Sequence, residues 1–498
     1  MLFRRRKKNR IFAPDQEDAS KWLKQLSLNS ADFKRSQVST SYQPFIIYYY
    51  SELIDKERLH HDLIRPLKSF PWASISEIEQ LLESENAVKT HDVNEINEGI
   101  HAGSVVVELN NTAEMLLIQM PASEKREISV PETEFSVIGP QESFVESMST
   151  NLLLVRRRLP ISTLQLKELK LGTITKTKTS ILYIEGIADE ANVNTLMQRL
   201  QAIDYDEILD ANTAAQMISD HTFSIFPQFV NTERPDRVAA ALIEGKTVFM
   251  TEGSPEAIVA PSTLLEFFTS LEDYYLPWHI ASFIRFLRIG AVLFSVLATP
   301  IYVAVMTYHY ELIPKDLLST LYASRSNIPF PPIIEALFLE FTIELLREAG
   351  ARLPTKVGQT IGIVGGIVIG QASVEAGLTS NILLIVVALA ALASFTSPVY
   401  QMGNTVRIVR FPFIFGAAWL GGLGIAIAFI VLSSHLLKLT SLGRPYLSPF
   451  YPLRIKDWKD SIFRLPYSSL QSRPAQSRPQ QKSRVPGGRQ SLKRDIDE

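Results

Sequence analysis

The sequence predicts an α+β membrane protein, in which an N-terminal cytosolic α/β region of two subdomains precedes an α-helical membrane domain with about four transmembrane helices. Three observations support this fold class. In the first half of the 498 residues, charged side chains recur every few positions. That half also contains alternating and β-branched runs typical of strands. After residue 284, uncharged apolar runs of membrane length begin.

The first residues are predicted to be a basic tail, 1–29. The segment RRRKKNR (Arg4–Arg10) has no apolar stretch behind it, so it does not predict a signal peptide. A first soluble α/β subdomain is expected over 30–165. Its strongest elements are a helix over Ser74–Leu82 and strands over Ser104–Leu109 and Met115–Met120.

A second soluble α/β subdomain is expected over 166–284, with the boundary near the basic segment Arg156–Pro160. The alternating run Thr173–Tyr183 predicts a strand, and Ala191–Ala202 predicts a helix. A further helix and strand are predicted over Arg237–Ile243 and Lys246–Met250.

The membrane domain is predicted over 285–437. Ile289–Tyr308 is uncharged, Val357–Val406 carries one charge, Glu375, and Phe411–Leu437 is again uncharged. Each run is long enough to cross a bilayer of about 30 Å, and the fifty-residue run is long enough for two crossings. The expected spans are 288–309, 357–376, 380–397 and 411–437.

An amphipathic helix is predicted over 333–350, opened by prolines and closed by Gly350. Its charged residues Glu340, Glu344, Arg347 and Glu348 share one face. So many charges predict a helix that lies in the membrane interface or packs within an oligomer, rather than one facing lipid. A simple surface helix is the alternative.

Two faces are predicted for the second span. Small residues recur every four positions at Gly358, Gly362, Gly366 and Gly370, a pattern that allows another helix to approach closely. The opposite face, at 100° per residue, has polar ends and an apolar centre, which would line a pore with a hydrophobic constriction. It comprises Thr360, Val364, Ile367, Val368, Gln371 and Glu375. A helix buried on both sides is the alternative.

The two chain ends are basic, and the tail over 438–498 holds thirteen Lys and Arg residues against five acidic ones. With Arg285 and Arg288 before the first span, this predicts both ends on the cytoplasmic side. Arg407 and Arg410 then fall on the far side, which weakens that orientation. The last twenty-five residues, rich in Gln, Ser, Arg and Pro, are expected to be disordered.

No sequence signal of an enzyme is present. The chain has no cysteine, its eight histidines form no short-range metal pattern, and neither a Walker A loop nor a GxSxG elbow occurs. No catalytic, cofactor-binding or metal-binding residue is therefore expected. The net charge of −2 gives no reason to expect nucleic acid as a partner.

Several stretches carry a resemblance to a known family. They include SIFPQF (Ser224–Phe229), TERPDRV (Thr232–Val238) and GSPEAIVAP (Gly253–Pro261) in the soluble half. In the membrane half they include PFPPIIEALFLEFTIELLREAGARLP (Pro329–Pro354) and VGQTIGIVGGIVIGQASVEAGL (Val357–Leu378). Over roughly 150–455 the chain resembles the A subunit of the GerA family of bacterial spore germinant receptors.

The resemblance implies a function that composition does not show. Members act in the spore inner membrane with a B subunit, which is transporter-like and binds the nutrient, and a C subunit, which is a lipoprotein. The A subunit is expected to form a homo-oligomer, as a pentamer, that acts as a nutrient-gated cation channel and triggers germination. The basic chain ends, rather than the resemblance, favour the spore core as the side that the soluble half and the tail face. Our own hypothesis is that helix 333–350 transmits the gating movement, since its charged face could repack between subunits.

Three alternatives stay open. The chain could be a non-conducting scaffold that assembles the receptor, or a solute transporter component, although no inverted repeat is visible. The soluble half could also bind a nutrient directly, but segments such as Gly253–Pro261 are as typical of turns and helix caps. The sequence does not name the germinant, the partner isoforms or the ring size.

Overall fold

Two antiparallel sheets precede a set of long helices in the computed structural model. It describes residues 19–40, 43–72, 74–82, 87–109, 114–122, 130–131, 133–134, 136–352, 366 and 368–484. In the description below, helices and strands are numbered in chain order.

The first sheet has the strand order β1-β2-β4-β5-β3, with every neighbouring pair antiparallel. Its strands are β1 Phe33–Val38, β2 Phe45–Tyr50, β3 Ala87–Thr90, β4 Ser104–Leu109 and β5 Met115–Gln119. The helices are α1 Ala19–Asn29, α2 Lys56–Arg58, a π-helical turn Leu59–Ile64, α3 Arg65–Ser69, α4 Ile75–Leu82 and α5 Val93–His101. Helices cover both faces, so every residue of β4 is buried, which explains its unbroken apolar run.

The second sheet has the order β6-β7-β9-β10-β8 and is also antiparallel. Its strands are β6 Leu164–Leu171, β7 Thr177–Ile184, β8 Val230–Thr232, β9 Thr247–Thr251 and β10 Ala257–Ala260. The associated helices are α6 Met148–Arg158, α7 Glu190–Gln201, α8 Ala211–Met217 and α9 Pro235–Ile243. The helix predicted at 191–202 and the strand at 246–250 are confirmed to within a residue at each end, whereas the strand predicted from Thr173 begins at Thr177.

Two sequence expectations about the soluble half need correction. Part of the predicted basic tail, Ala19–Asn29, is helix α1, whose Leu23 and Leu26 are buried against the first sheet. The predicted boundary at Arg156 is a buried contact, because Nε and Nη2 of Arg156 each lie 2.9 Å from an Asp32 carboxylate oxygen. Arg156 also lies 4.3 Å above the Tyr50 ring. The arginine therefore joins helix α6 to the first sheet.

The C-terminal region is helical. Its helices are α10 Glu272–Tyr275, α11 Trp278–Thr307, α12 Lys315–Arg325, α13 Pro332–Arg352, α14 (368–375), α15 Asn381–Ser394, α16 Tyr400–Leu420, α17 Gly422–Lys438 and α18 Trp458–Ser461. Among the described residues, α11 alone is long and apolar enough to cross a membrane. Helices α15 and α17 are apolar but shorter.

The span predicted over 411–437 is wrong as a single helix. The chain turns at Gly421, which has φ +58°, so that α16 and α17 form an antiparallel hairpin. Close contact makes the hairpin possible, since a Cβ on Gly424 would lie 1.8 Å from the carbonyl oxygen of Gly416. The remaining predicted spans correspond to α11, α14 and α15, of which the span over 357–376 is described only at 366 and from 368 onward. The number of membrane crossings stays a prediction.

The C-terminal tail returns to the soluble half. Leu439 and Tyr446 lie in the core of the second sheet together with Val406 and Phe413 of α16. Disorder of the last twenty-five residues is wrong for 474–484, where the hydroxyl of Ser477 donates to the carbonyl of Glu244 at 2.7 Å. The chain beyond 484 lies outside the described residues.

Candidate functional site

A buried ion pair joins two helices of the C-terminal region. Glu340 of α13 and Arg410 of α16 form a salt bridge in which each side chain is 2% exposed. Arg410 also donates to the hydroxyl of Ser295 at 2.7 Å and to the carbonyl of Ala390 at 3.3 Å. Thr299 donates to Glu340 at 2.8 Å. Four helices, α11, α13, α15 and α16, therefore meet at one pair of charges.

The Glu340–Arg410 pair lies beside the middle of the apolar helix α11. Its partners Ser295 and Thr299 lie near the middle of the uncharged run Ile289–Tyr308. If α11 crosses a bilayer, the pair lies near the centre of the hydrocarbon layer. Charges at that depth are costly and usually mark a functional path or switch. The pair is tolerable there because each charge has a partner and further hydrogen bonds.

Two more contacts extend the pair into a ladder between antiparallel helices. Arg407 Nε lies 3.3 Å from Glu344, and Arg347 donates to the amide oxygen of Asn404 at 3.4 Å. Asn404 also accepts from Arg407. The partners advance by four and three residues along α13 and retreat by three and three along α16. We call these three contacts, Glu340–Arg410, Glu344–Arg407 and Arg347–Asn404, the α13–α16 ladder.

Aromatic rings and a helix cap hold α13 at its two ends. The Arg347 guanidinium lies 5.2 Å from the Phe395 ring centre and 5.6 Å from that of Tyr400, which are cation–π distances. Near the other end, the fully buried Glu335 accepts from Arg325 at 2.8 Å and from the backbone N–H of Ser380 at 3.2 Å. Glu335 thus pairs with α12 and places a negative charge at the N-terminus of α15.

Three of the four predicted gating residues contact α16, and the fourth is exposed. Glu340, Glu344 and Arg347 all face α16, and α13 lies against α11, α15 and α16 with Ala336 and Leu339 buried. Glu348 differs, since it pairs with Arg352 of its own helix while the two side chains are 65% and 78% exposed. Such an exposed pair contributes little to stability. The charged face of α13 is therefore mainly an internal contact of the chain.

The predicted pore-lining residues are only partly described. Thr360, Val364 and Ile367 lie outside the described residues. Val368, Gln371 and Glu375 lie together on the exposed side of α14, and Gln371 donates to Glu375 at 2.8 Å. Ser373 lies on the opposite, buried side. In the described part of the chain this face is exposed, and its role as a pore lining stays a prediction.

Two of the four predicted packing glycines lie among the described residues. Gly358 and Gly362 lie outside the described residues. Gly370 is buried, and a Cβ there would lie 3.6 Å from Leu384 of α15, which is ordinary contact. Gly366 is exposed, with nothing within 4 Å of a Cβ position. Among the described residues, Gly370 contacts a neighbouring helix and Gly366 does not.

Residues outside the long helices bind α11 and α16 near the N-terminal end of each helix. Arg285 of α11 donates to Asp273 at 2.8 Å, and Arg288 contacts the same carboxylate at 3.3 Å. At the start of α16, Thr405 donates to the carbonyl of Ile225 at 2.7 Å. These contacts join the region of the second sheet to α11 and α16, so a displacement of that region would act on both helices.

Asp220 makes a similar connection beyond α17. Burial opposes its ionisation, but hydrogen bonds from Arg199, Thr440 and the Gly443 N–H together outweigh burial and lower the pKa of Asp220. The charged carboxylate therefore ties Thr440 and Gly443, which follow α17, to Arg199 of helix α7.

Sequence reasoning missed the partners of α13. Charge alone predicts that Arg407 and Arg410 flank a span, but both lie inside the helix bundle. Glu335 and Arg325 were not singled out. A usable signal existed, because Glu340/Glu344 and Arg407/Arg410 are each spaced to share a helix face and are opposite in sign. In the described part of the chain, no three His, Asp or Glu side chains are arranged to hold a metal ion.

Comparisons with known proteins agree on one group of proteins. A family model described as Bacillus/Clostridium GerA spore germination protein matches residues 21–476. The chain is 51% identical over 463 residues to the Bacillus cereus spore germination protein GerQA, covering 93% of each chain. It is 49% identical over 454 residues to GerIA of the same organism, covering 91% of this chain and 68% of GerIA.

A solved structure also matches. It is the N-terminal domain of the A subunit of the Bacillus megaterium spore germinant receptor GerK3. The match covers 50% of this chain and 98% of that domain, at 25% identity and a TM-score of 0.39.

Proposed function

The chain belongs to the GerA family of spore germination proteins, and from that membership we propose that it is the A subunit of a nutrient germinant receptor that forms a nutrient-gated cation channel in the spore inner membrane. The observation that carries the channel proposal is the buried Glu340–Arg410 pair at the mid-depth of α11. Charges at that depth are costly and usually mark a functional path or switch, which favours a channel over a scaffold held together by apolar packing alone.

The exposed face of α14 supplies the path in this proposal. Gln371 and Glu375 would be costly in lipid, so their exposure in the single chain favours a water-filled surface or a second subunit. Repeated around a homo-oligomer, expected to be a pentamer, the face would place a ring of Glu375 carboxylates near one end. Such a ring favours cations, and apolar side chains such as Val368 would close the path by excluding water.

The α13–α16 ladder is the proposed gating element. Its contacts join helices from different parts of the chain, and a shift of α13 along α16 would exchange or break all three contacts together. The Glu340–Arg410 end of the ladder is fully buried, and buried, close-packed contacts have discrete alternative arrangements rather than a continuous range. Nutrient can open the channel only if it binds the open arrangement of the receptor more tightly than the closed one.

The proposed partners are a transporter-like B subunit that binds the nutrient and a C-subunit lipoprotein. Movement at such a partner would reach the ladder through the soluble half, whose contacts Asp273–Arg285 and Ile225–Thr405 hold α11 and α16. The proposed orientation places the soluble half and the tail on the core side, because both chain ends are basic.

The test is potassium release from spores whose only nutrient receptor contains this chain with its B and C subunits. The proposal expects nutrient to trigger early potassium release with the normal chain. A Glu375→Lys variant should assemble to the same level and release potassium far more slowly, because it reverses the ring charge. Equal release rates at equal assembly would favour a non-conducting scaffold.

A further inference from the structure

Two neighbouring apolar side chains of the soluble half are exposed in the part of the chain that the structure describes. Phe223 is fully exposed, and Ile225, two residues later, is 48% exposed. Both lie in the connection between α8 and β8, within the sequence HTFSIFPQF. The connection is not loose, since Phe226 and Phe229 are buried and Gln228 bonds to both backbone groups of His221. A well-held turn therefore presents two apolar side chains outward.

This turn is fixed to two helices of the proposed membrane domain. The Ser224 hydroxyl lies 3.0 Å from Nε2 of His435 in α17, and the Phe226 ring centre lies 6.0 Å from that of His435. Thr405 of α16 donates to the Ile225 carbonyl at 2.7 Å. Phe223 is thus held beside the last turn of α17.

The exposed apolar surface of α17 ends at this last turn. Ile430, Val431 and Leu437 are exposed apolar side chains. Lys438 is exposed and charged, and Leu439 already lies in the core of the second sheet. At 1.5 Å per residue, His435 lies roughly 5 Å along the helix from Lys438. The level of His435 is therefore the boundary between an apolar surface and the soluble half.

We propose that Phe223, with Ile225 beside it, inserts into the interfacial layer of the lipid bilayer on the side of the soluble half. Aromatic side chains are favoured at this level because a ring tolerates both the acyl chains and the headgroups. The exposed Lys438 suits the neighbouring lipid phosphates. The contact would hold the second sheet at a fixed height on the membrane. This inference rests on the proposed membrane setting of the helices.

The cysteine-free chain allows a direct test. Three single variants, F223C, I430C and F70C, would each be labelled with a small fluorophore in the full-length chain reconstituted into phosphatidylcholine–phosphatidylglycerol nanodiscs. All three native side chains are exposed, so each substitution should leave folding intact. Quenching by spin labels on lipid headgroups or acyl chains would be compared with quenching by aqueous iodide. I430C is the reference for a lipid-exposed position. F70C, at the end of α3 in the first subdomain, is the reference for a water-exposed position.

We expect F223C to lose fluorescence to headgroup spin labels and to be protected from iodide relative to F70C. Iodide quenching equal to that of F70C would overturn the inference, and so would protection from both quenchers, which would show a protein cover. If I430C also fails to respond to lipid spin labels, the membrane setting itself fails. A response of I430C without one of F223C overturns this inference alone.

Discussion

Glu340 and Arg410, seventy residues apart in sequence, form a salt bridge in which neither side chain is more than 2% exposed. Breaking such a pair is expensive because the remaining charge stays buried without its partner. The pair therefore fixes how α13 lies against α16, and Ser295 and Thr299 fix its height on α11. Any open state of the proposed channel must keep this pair or provide each charge with a new partner.

The first prediction concerns the cost of breaking the pair. Glu340→Gln leaves the buried Arg410 charge without its counterion and should destabilise the full chain in detergent by about 3–5 kcal/mol. Glu348→Gln is the matched control, because that exposed pair should contribute less than about 1 kcal/mol. The measurement is the midpoint of thermal unfolding. Equal shifts for the two variants would show that Glu340 is not paired in a buried site.

The second prediction tests the ladder as a gating element. Glu344→Arg or Arg407→Glu alone places like charges together and should reduce nutrient-triggered potassium release by at least tenfold at equal assembly. The double variant restores opposite charges at the same 3.3 Å contact and should recover much of the response. Failure of the double variant to improve on either single variant would remove this contact from the mechanism.

A third prediction concerns the hairpin of α16 and α17. Gly424→Ala would bring a Cβ to 1.8 Å from the Gly416 carbonyl and must force the helices apart. Gly290→Ala on α11 is the control, since nothing lies within 4 Å of its Cβ position. We expect assembled protein to fall severalfold for the first variant and to stay unchanged for the second, as measured by immunoblot of membrane fractions. Normal assembly of Gly424→Ala would contradict the close helix contact.

The fourth prediction concerns pH. His101 stacks on Tyr50 with ring centres 5.2 Å apart, and burial, assisted by the Arg156 charge, lowers the pKa of His101 to about 3. Between the ordinary histidine pKa of about 6.5 and that value, only the unfolded chain binds the proton. The free energy of unfolding should therefore decrease as the pH is lowered through this window. His101 contributes at most about 1.4 kcal/mol per pH unit to that decrease.

His101→Phe keeps a ring against Tyr50 and removes this contribution, so its unfolding midpoint should depend less on pH between 7 and 5. The exposed His91→Phe is the control variant, measured in the same detergent. Identical pH slopes for normal chain, His101→Phe and His91→Phe would show that His101 is not buried in the neutral form.

Local signals predicted much of the soluble half. The strand Ser104–Leu109 has the predicted bounds, because an unbroken β-branched run followed by a turn leaves little alternative. Helix α7 follows from its apolar period and the Asp189 cap, whose side chain accepts from the Ala191 N–H. The antiparallel order of each sheet could not be predicted, since it depends on contacts between distant strands.

In the helical half, length and polarity were a weaker guide. The run Phe411–Leu437 contains no charge, and its length and polarity favour one continuous span; the dipeptide Gly421-Gly422 is a turn signal within it, and the Gly416–Gly424 contact shows that the chain turns there. Because Arg410 directly precedes this uncharged run, its charge alone predicts a position at the end of a membrane span. Its burial depends on Glu340 arriving from α13, which is a tertiary contact that one helix cannot reveal.

Cysteine accessibility along the second predicted span is the measurement that tests the channel most directly. Single cysteines at 360, 364, 368, 370, 371, 373 and 375 would be exposed to a water-soluble thiol reagent, with B and C subunits present. We expect labelling at 360, 364, 368, 371 and 375, increased by nutrient, and protection at 370 and 373, which face the chain interior. Uniform protection in an assembled, nutrient-responsive receptor would contradict it.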